Sequence, residues 1–408
     1  MMPDAPTAPL PQSPFAYLPF RLFWIARICS ILALQIQIVA TGWRIYDVSG
    51  SAMALGFVGL AEFLPAIALI LVTGHVADRF DRRFVIVACQ ATEVAAMALL
   101  GLALTGDDHS LLLAYAAVVL LGTGRAFEMP ASSALVPNLV PTAVFPRAVA
   151  VNSSAWQATS IIGPAVGGLL YGFLGNIVFA ISAGLFALAG LLILSIRITP
   201  RVIPRQPVSL GTLLAGIAFI RRKPIVLGAI SLDLFAVLLG GATALLPVLA
   251  KEQFHAGAEL VGMLRAAPGV GALTTGIILS IRPLRQRVGP ILYVCVALFG
   301  LGTIVFGLTS SVLVACVSLV VMGAADMVSV YVRQTLVQLE TPDEMRGRVS
   351  AVNGVFIGAS NQLGEFESGV TAAWLGASPA VVLGGIGTLV VVVLWARLFP
   401  QLLRADRL

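Results

Sequence analysis

Stretches of about twenty consecutive apolar residues recur along the whole 408-residue chain, and that length is what an α-helix needs to cross a bilayer. Only 11% of residues are charged and 59% are hydrophobic, with mean hydropathy +0.99. A soluble domain carries about 25% charged residues, so this chain lacks the polar surface to cover itself in water. Inside hydrocarbon every backbone donor and acceptor must be satisfied internally, which leaves helices or a closed barrel. The long apolar runs, without the period-two alternation of barrel strands, predict an all-α membrane protein.

The spacing predicts twelve spans, at 20–42, 53–73, 84–105, 111–130, 146–171, 176–196, 225–250, 259–281, 290–308, 311–332, 349–374 and 379–399. Residues 1–19 form a tail, Pro-rich and polar over the first fourteen. With no small-residue cleavage site after it, the first helix is expected to act as its own insertion signal. The longest polar break, 197–224, separates a six-helix unit at 20–196 from another at 225–399, and 400–408 is a short tail. A short interfacial helix is expected in the break, where Leu210, Leu214, Ile217 and Ile220 precede Arg221-Arg222-Lys223.

The two units match. At a displacement of 201 residues, Pro141, Arg147, Ala150, Val151 and Asn152 pair with Pro342, Arg348, Ala351, Val352 and Asn353, and Gly163, Gly168 and Gly175 with Gly364, Gly369 and Gly376. Self-similarity at one fixed offset marks a duplication. Six spans is an even number, so the repeats are parallel.

The net charge of +6 does not imply nucleic acid, because the bases gather in inter-span segments and no soluble stretch could hold a basic domain. Of 25 Lys and Arg, 20 fall on the side of the termini, 2 on the other (Arg44, Lys251) and 3 within spans (Arg27, Arg125, Arg265). The positive-inside rule then puts both termini in the cytoplasm of a multi-pass protein of the cell inner membrane. Cys29, Cys89, Cys295 and Cys316 fall inside spans without metal-ligand spacing, and His75, His109 and His255 fall in loops, so no metal and no cofactor are expected. No P-loop pattern is present to draw on ATP.

Between the second and third spans the chain reads Gly74-His-Val-Ala-Asp78-Arg79-Phe-Asp-Arg82-Arg83. Basic residues alone would make a topological stop, but Asp78 is an acid on the basic side. The segment resembles the G-x-x-x-D-R-x-x-R-R loop of the major facilitator superfamily, with glycine, acid and bases in register. That resemblance implies the major facilitator fold, twelve transmembrane helices in two parallel six-helix repeats. It also implies a gating loop in which Asp78 meets a helix N-terminus across the interface of the halves and Gly74 permits close helix approach. The matching segment Arg282–Pro290 keeps the bases and lacks the acid.

Gly163-Pro164-Ala165-Val166-Gly167-Gly168 resembles the G-P-x-x-G-G core of the antiporter motif, which implies export rather than import; Ala158 and Thr159 stand where upstream glycines would. Thr341-Pro342-Asp343-Glu344-Met345-Arg346-Gly347-Arg348, together with Phe20-Arg21-Leu22-Phe23-Trp24, is similar to the branch of siderophore exporters and macrolide pumps. Thr341 or Asp343 can equally start a helix with acids in its first turn.

Ionisable residues inside spans are costly and so mark function. They are Glu62, Glu93, Arg125, Glu128, Asp233, Arg265, Asp326, Glu365 and Glu367. Arg125 and Glu128, three apart, are expected to pair; in the resembled family an arginine of this helix is tied to proton coupling in R-x-x-x-G, where this chain has Met129. Asp233, with no basic neighbour at helical spacing, and Glu62 are the expected proton carriers. Of Glu365 and Glu367, two apart, at most one should line a cavity. Trp43, Phe57, Phe63, Trp156 and Phe235 are open to an aromatic substrate wall or to ordinary packing. These residues predict a secondary transporter that exports a drug-like compound, siderophore or other metabolite in exchange for protons, working as a monomer. The alternatives are a facilitator without proton coupling or a non-transporting sensor on the same fold. An enzyme is not expected, for lack of a nucleophile–base pair or His/Cys cluster.

Overall fold

A computed structural model describes residues 13–104, 110–197, 210–284 and 286–406. Every regular element among them is helical: α1 (Leu18–Ser49), α2 (Ala52–Ala68), α3 (Ile70–Arg79), α4 (Arg82–Leu104), α5 (Leu111–Leu135), α6 (Phe145–Leu174), α7 (Ile177–Leu194), α8 (Leu210–Arg222), α9 (Pro224–Gly240), α10 (Leu246–Glu252), α11 (Ala258–Ile281), α12 (Val288–Leu308), α13 (Val312–Leu339), α14 (Asp343–Leu375), α15 (Ala377–Leu398) and α16 (Pro400–Leu403).

The helices build the twelve-span architecture, but two spans are broken. The second is α2 followed by α3, interrupted at Leu69. The seventh is α9, a 3-10 turn at Ala242–Leu245 and α10, broken at Gly240-Gly241. The freed carbonyl of Gly241 accepts a hydrogen bond from Ser368 Oγ at 3.1 Å, so the break is satisfied by protein rather than lipid. In the linker, α8 lies against the start of α14; residues 198–209 are outside the described residues.

Helices α1 to α7 pack among themselves, as do α9 to α15, and the two bundles meet chiefly through α2 on α14 and α6 on α11. The contacts repeat with the duplication. The first three spans of the two bundles are offset by 206 residues, as α1 and α9 (Leu18, Pro224) and α4 and α12 (Arg82, Val288) show, whereas α6 and α14 keep the offset of 201 (Leu174, Leu375). Gly56 on α2 is pressed against Gly369 on α14. Its equivalent, Gly262 on α11, is pressed against Gly168 on α6, the equivalent of Gly369. A Cβ at Gly369 would stand 2.7 Å from the Gly56 Cα, and one at Gly262 would stand 3.0 Å from the Gly168 Cα. Small residues let the backbones touch where lipid offers no hydrophobic drive.

Both crossings lie toward the face opposite the termini. Toward the terminal face, Gly74, Gly347, Gly354 and Gly358 have no neighbour within 4 Å of an added Cβ. The bundles are therefore joined toward the far face, while these four glycines toward the termini face open space. Nine helices or helix pairs among the described residues are long and apolar enough to span by composition alone. α2, α6 and α14 are not among them, and α11 has the lowest hydropathy of the nine, 1.4. α2 falls short by length alone, at 17 residues, whereas α6 and α14 carry more polar side chains.

Arg333, expected on the terminal side, is instead a 3%-exposed residue of α13, which runs seven residues past the expected end of its span at 332.

Candidate functional site

A cavity of about 70 Å³ lies at mid-bundle and is walled by both halves: Gln37 and Thr41 from α1, Glu62 from α2, Thr243 from the 3-10 turn, Arg265 from α11 and Glu365 from α14. Its position follows from helix chemistry. The broken seventh span puts Thr243 on the wall, and Gly59 lets Glu365 lie against α2, an added Cβ there standing 3.0 Å from Glu365 Oε2. Glu62 forms a close ion pair with Arg125 of α5, and Gly122, one turn from Arg125, admits the Glu62 carbonyl against its backbone. Arg265 and Glu365 have no ion-pair or hydrogen-bond partner among the described residues, although Glu365 lies within electrostatic reach of Arg265, Glu62 and Arg125. The wall thus offers one satisfied ion pair and two opposite charges free to meet a ligand.

Arg125 and Glu128 do not pair with each other. Three residues apart on α5, they reach different neighbours: Arg125 turns to α2, while Glu128 accepts from Arg27 of α1 (3.3 Å), Ser30 (3.1 Å) and Gln90 of α4 (3.1 Å). Arg27 also lies over the Trp156 ring, 5.2 Å from its centroid. Glu93, 1% exposed, belongs to the same interior cluster, with Oε2 lacking a hydrogen-bond partner among the described residues. Asp233 is not a lone carboxyl either. Arg333 of α13 holds it at 3.1 Å, a partner that helical spacing within α9 could not reveal, and Arg333 also donates to Asn353 Oδ1 at 3.4 Å. Asp233 lines a small cavity inside the C-terminal bundle, together with Asp326, rather than the central one. Glu365 lines the central cavity, whereas Glu367 accepts from Thr371 at 2.8 Å and does not. None of the five aromatic residues walls the cavity. Phe57 packs on Tyr115 and on Phe366 across the bundle interface, and Phe235 packs on Trp395.

The far face above the cavity is closed by charge. Asp47 at the end of α1 pairs with Lys251 at the end of α10 (2.6 Å) and with Arg44 (2.9 Å), and the Tyr46 hydroxyl contacts Glu252. Arg44 and Lys251, the two bases expected on that side, are both in this clasp.

The expected gating loop is partly helix. Gly74 and Arg79 belong to α3, and only Phe80 and Asp81 connect it to α4. Nothing packs at Gly74 in this conformation, contrary to the close approach expected there, and the side chain of Asp78 is outside the described residues. Asp81, which the sequence pattern does not single out, caps α4. Its Oδ1 accepts from the Arg83 backbone N–H (3.0 Å), its Oδ2 accepts from the Arg83 guanidinium (2.7 Å), and Arg83 also donates to the Ile196 carbonyl (2.7 Å). The Arg83 guanidinium holds the Asp81 carboxyl below the usual carboxylate range. Arg82 contributes at the start of the same helix. In the matching segment Asp406 of the tail accepts from the Arg287 N–H (3.3 Å), supplying an acid that the segment itself lacks.

The Gly163–Gly168 motif packs in two directions. Gly163 and Gly167 receive Gln35 and Ile36 of α1, while Gly168 is the crossing point onto α11 in the other bundle. Pro164 sits inside the helix and leaves α6 unbroken. At the start of α14, Thr341 is not the cap. Its hydroxyl donates back to the Val337 carbonyl (2.5 Å), and Asp343 pairs with Arg346 (2.5 Å) in the first turn.

Two six-helix bundles around a mid-membrane polar cavity, closed at one face, define a membrane transporter of the major facilitator class. The sequence pattern of the transmembrane secretion effector family matches residues 9–406, and the chain belongs to that family of transporters, which are not enzymes. Curated relatives include the enterobactin exporter EntS of Citrobacter koseri, 30% identical over 403 residues, and that of Escherichia coli O1:K1, 29% identical; each match covers 94% of this chain and 92% of the relative. In fold the chain is similar to a point mutant of the nucleoside transporter NupG (TM-score 0.73, 14% identity, 93% of this chain and all of that one). It is also similar to an inward-facing, occupied bacterial homologue of the lysosomal transporter Spinster (TM-score 0.72, 15% identity, 95% and 96%).

Proposed function

We propose that the chain exports a small organic molecule from the cytoplasm by alternating access, in exchange for protons. The observation that carries this reading is the central cavity. Its charged wall is split between the bundles, so a rocking motion about the Gly56–Gly369 and Gly168–Gly262 crossings would present it to either face. The relatives named as enterobactin exporters support outward movement and a metabolite as cargo. The excess of bases on the terminal face supports placing that face in the cytoplasm of the inner membrane. On this reading the present conformation is open to the cytoplasm and held shut outside by Asp47–Lys251.

Proton coupling would run through Glu62 and Glu365, which face each other across the α2–α14 contact that must open. A proton on Glu62 would release Arg125, and one on Glu365 would leave Arg265 the dominant charge of the wall. Asp233, held by Arg333 inside one bundle, fits a structural pair better than a carrier. No partner subunit is needed to complete the pathway.

Proteoliposomes carrying a pH dye test this when challenged with catecholates, macrolides and cationic dyes. Substrate-triggered proton movement with one class, lost in Glu62→Gln, is the expected outcome. Transport that continues without proton movement would leave a facilitator. Ligand binding with neither transport nor proton movement would leave a sensor.

A further inference from the structure

The contact that positions Arg125 in the first bundle has a counterpart in the second, with one charge inverted and the other missing. Gly122 on α5 takes the carbonyl of Glu62, and Gly323 on α13, its equivalent at 201 residues, takes the carbonyl of Pro268 on α11, the equivalent of Glu62 at 206. Carried across the same way, Arg125 becomes Asp326. Where the first bundle holds an arginine against a glutamate, the second holds an aspartate against a proline. Asp326 consequently has no hydrogen-bond or ion-pair partner among the described residues. The charged groups nearest to it are Asp233 of α9 and Arg333 of its own helix, and Arg333 is already engaged by Asp233 at 3.1 Å.

The place that a cationic partner would take is open. Asp326 lines a cavity of about 200 Å³ whose wall is otherwise mostly apolar, with Pro268, Phe299, Phe306 and Met322. Thr243 lines this cavity and the central one, so the two adjoin.

We propose that this pocket binds the cationic end of a lipophilic substrate, a protonated amine or quaternary ammonium, with Asp326 as its counter-charge. The ligand would supply the positive charge that Arg125 supplies in the first bundle. A carboxylate walled by hydrocarbon attracts a monocation far more strongly than one in water. The aromatic and aliphatic wall removes the ligand's apolar body from water, and the aromatic rings favour cations. This deepens the exporter reading and rests on it for the direction of transport.

The test is equilibrium binding of tetraphenylphosphonium and of tetraphenylborate to the full-length protein in lipid nanodiscs. The two ions share a shape, differ in sign and carry no titratable proton. Phosphonium is expected to bind and borate not. Asp326→Asn should weaken phosphonium binding by at least about tenfold, and Asp326→Glu should retain it within about threefold. Pro268→Arg, which offers Asp326 an internal cation at the position of Glu62, should also abolish it. Equal binding of the two ions overturns the proposal, as does unchanged phosphonium affinity in Asp326→Asn. If that variant loses proton movement in the dye experiment yet keeps its phosphonium affinity, Asp326 is a proton site and the proposal falls. Export is judged separately. Transport of another class with phosphonium silent leaves export standing without this site, whereas phosphonium binding without any transport leaves the site standing without export.

Discussion

The first bundle ties α1 to α5 with Arg27 and Glu128, and the second ties the equivalent helices, α9 and α13, with Asp233 and Arg333. Arg27 and Asp233 are equivalent at 206 residues, and Arg333 stands one helical turn past Ser329, the equivalent of Glu128. The tie is therefore conserved between the bundles while its polarity is reversed. Arg125 and Asp326 are inverted in the same way. On the terminal surface, by contrast, Arg147 and Arg348 keep their sign. The difference has a physical cause. A surface base answers to the orientation of the membrane, which is the same for two parallel repeats, so its sign is constrained. A buried charge answers only to its partner, so its sign is free to change whenever the partner changes too. Asp326 is the position where the partner did not follow.

Breaking either interior tie should have the largest effect. Removing one member strands a charge in low dielectric, at a cost of about 3–5 kcal/mol. Arg333→Gln and Arg27→Gln should therefore both lower the thermal midpoint of the detergent-purified protein severely. The double reversal Arg27→Asp with Glu128→Arg gives the first bundle the polarity of the second and should recover most of the loss. A double reversal no more stable than either single change would show that geometry, rather than charge complementarity, fixes the sign.

The bundle crossings sharpen the comparison at a smaller scale, because there the two sides are alike. Gly56 and Gly262 are equivalent and each lies against backbone of the opposite bundle. Overpacking costs about 1–3 kcal/mol, and here the penalty falls on the far-closed conformation alone. Gly56→Leu and Gly262→Leu should each shift the population about tenfold or more toward opening at the far face. Labelling of a cysteine placed in the far half of the central cavity would measure this shift. Strongly unequal shifts would mean that the two crossings do not share the load.

Much of this is legible in the sequence, and what is not has a common cause. Apolar run length marks the spans, and the 201-residue repeat marks the two bundles, because both depend on local composition and order. The partners of Arg125, Glu128 and Asp233 are not legible. Each is held by a residue on another span, whereas helical spacing speaks only of neighbours on the same one. Arg333 reads as a surface base because its apolar run ends at 332, one residue short of it, while the helix continues. Asp81 is overshadowed by the more regular Asp78, although Asp81-Arg-Arg83 at the start of a helix is a capping signal. Of the proposed cavity residues, Glu62 and Glu365 stand out by their cost in lipid, but nothing in the sequence says that they meet across the interface.

The far-face clasp has no repeat equivalent within either bundle, since it joins one to the other. Asp47 and Lys251 are about 34% and 44% exposed in their side chains, so their attraction is screened and worth at most about 1 kcal/mol. Lys251→Ala should raise far-face labelling only about two- to fivefold, and added salt should mimic it in the parent protein. Asp47→Lys with Lys251→Asp should restore low labelling unless Arg44, the other partner of Asp47, is what holds the gate.

The smallest effect concerns Asp81, the surface cap of α4, and it is a pH effect. The Asp81 carboxyl is held below its ordinary range by Arg83, so the folded protein favours its ionised form. A depressed folded-state value means the stabilisation is fully present above the unfolded carboxylate value of about 3.9 and disappears as pH falls through the lower folded value. The side chain is 27% exposed, which discounts the ion pair and leaves mainly the cap, worth about 1 kcal/mol. Asp81→Asn, which keeps a capping oxygen and removes the charge, should therefore lie slightly below the parent in thermal midpoint by a constant amount between pH 5 and 7. The gap should narrow only below about pH 4. A gap that closes near neutrality instead would mean that Asp81 answers to a second carboxylate, and Asp78 on the preceding helix would be the first to replace.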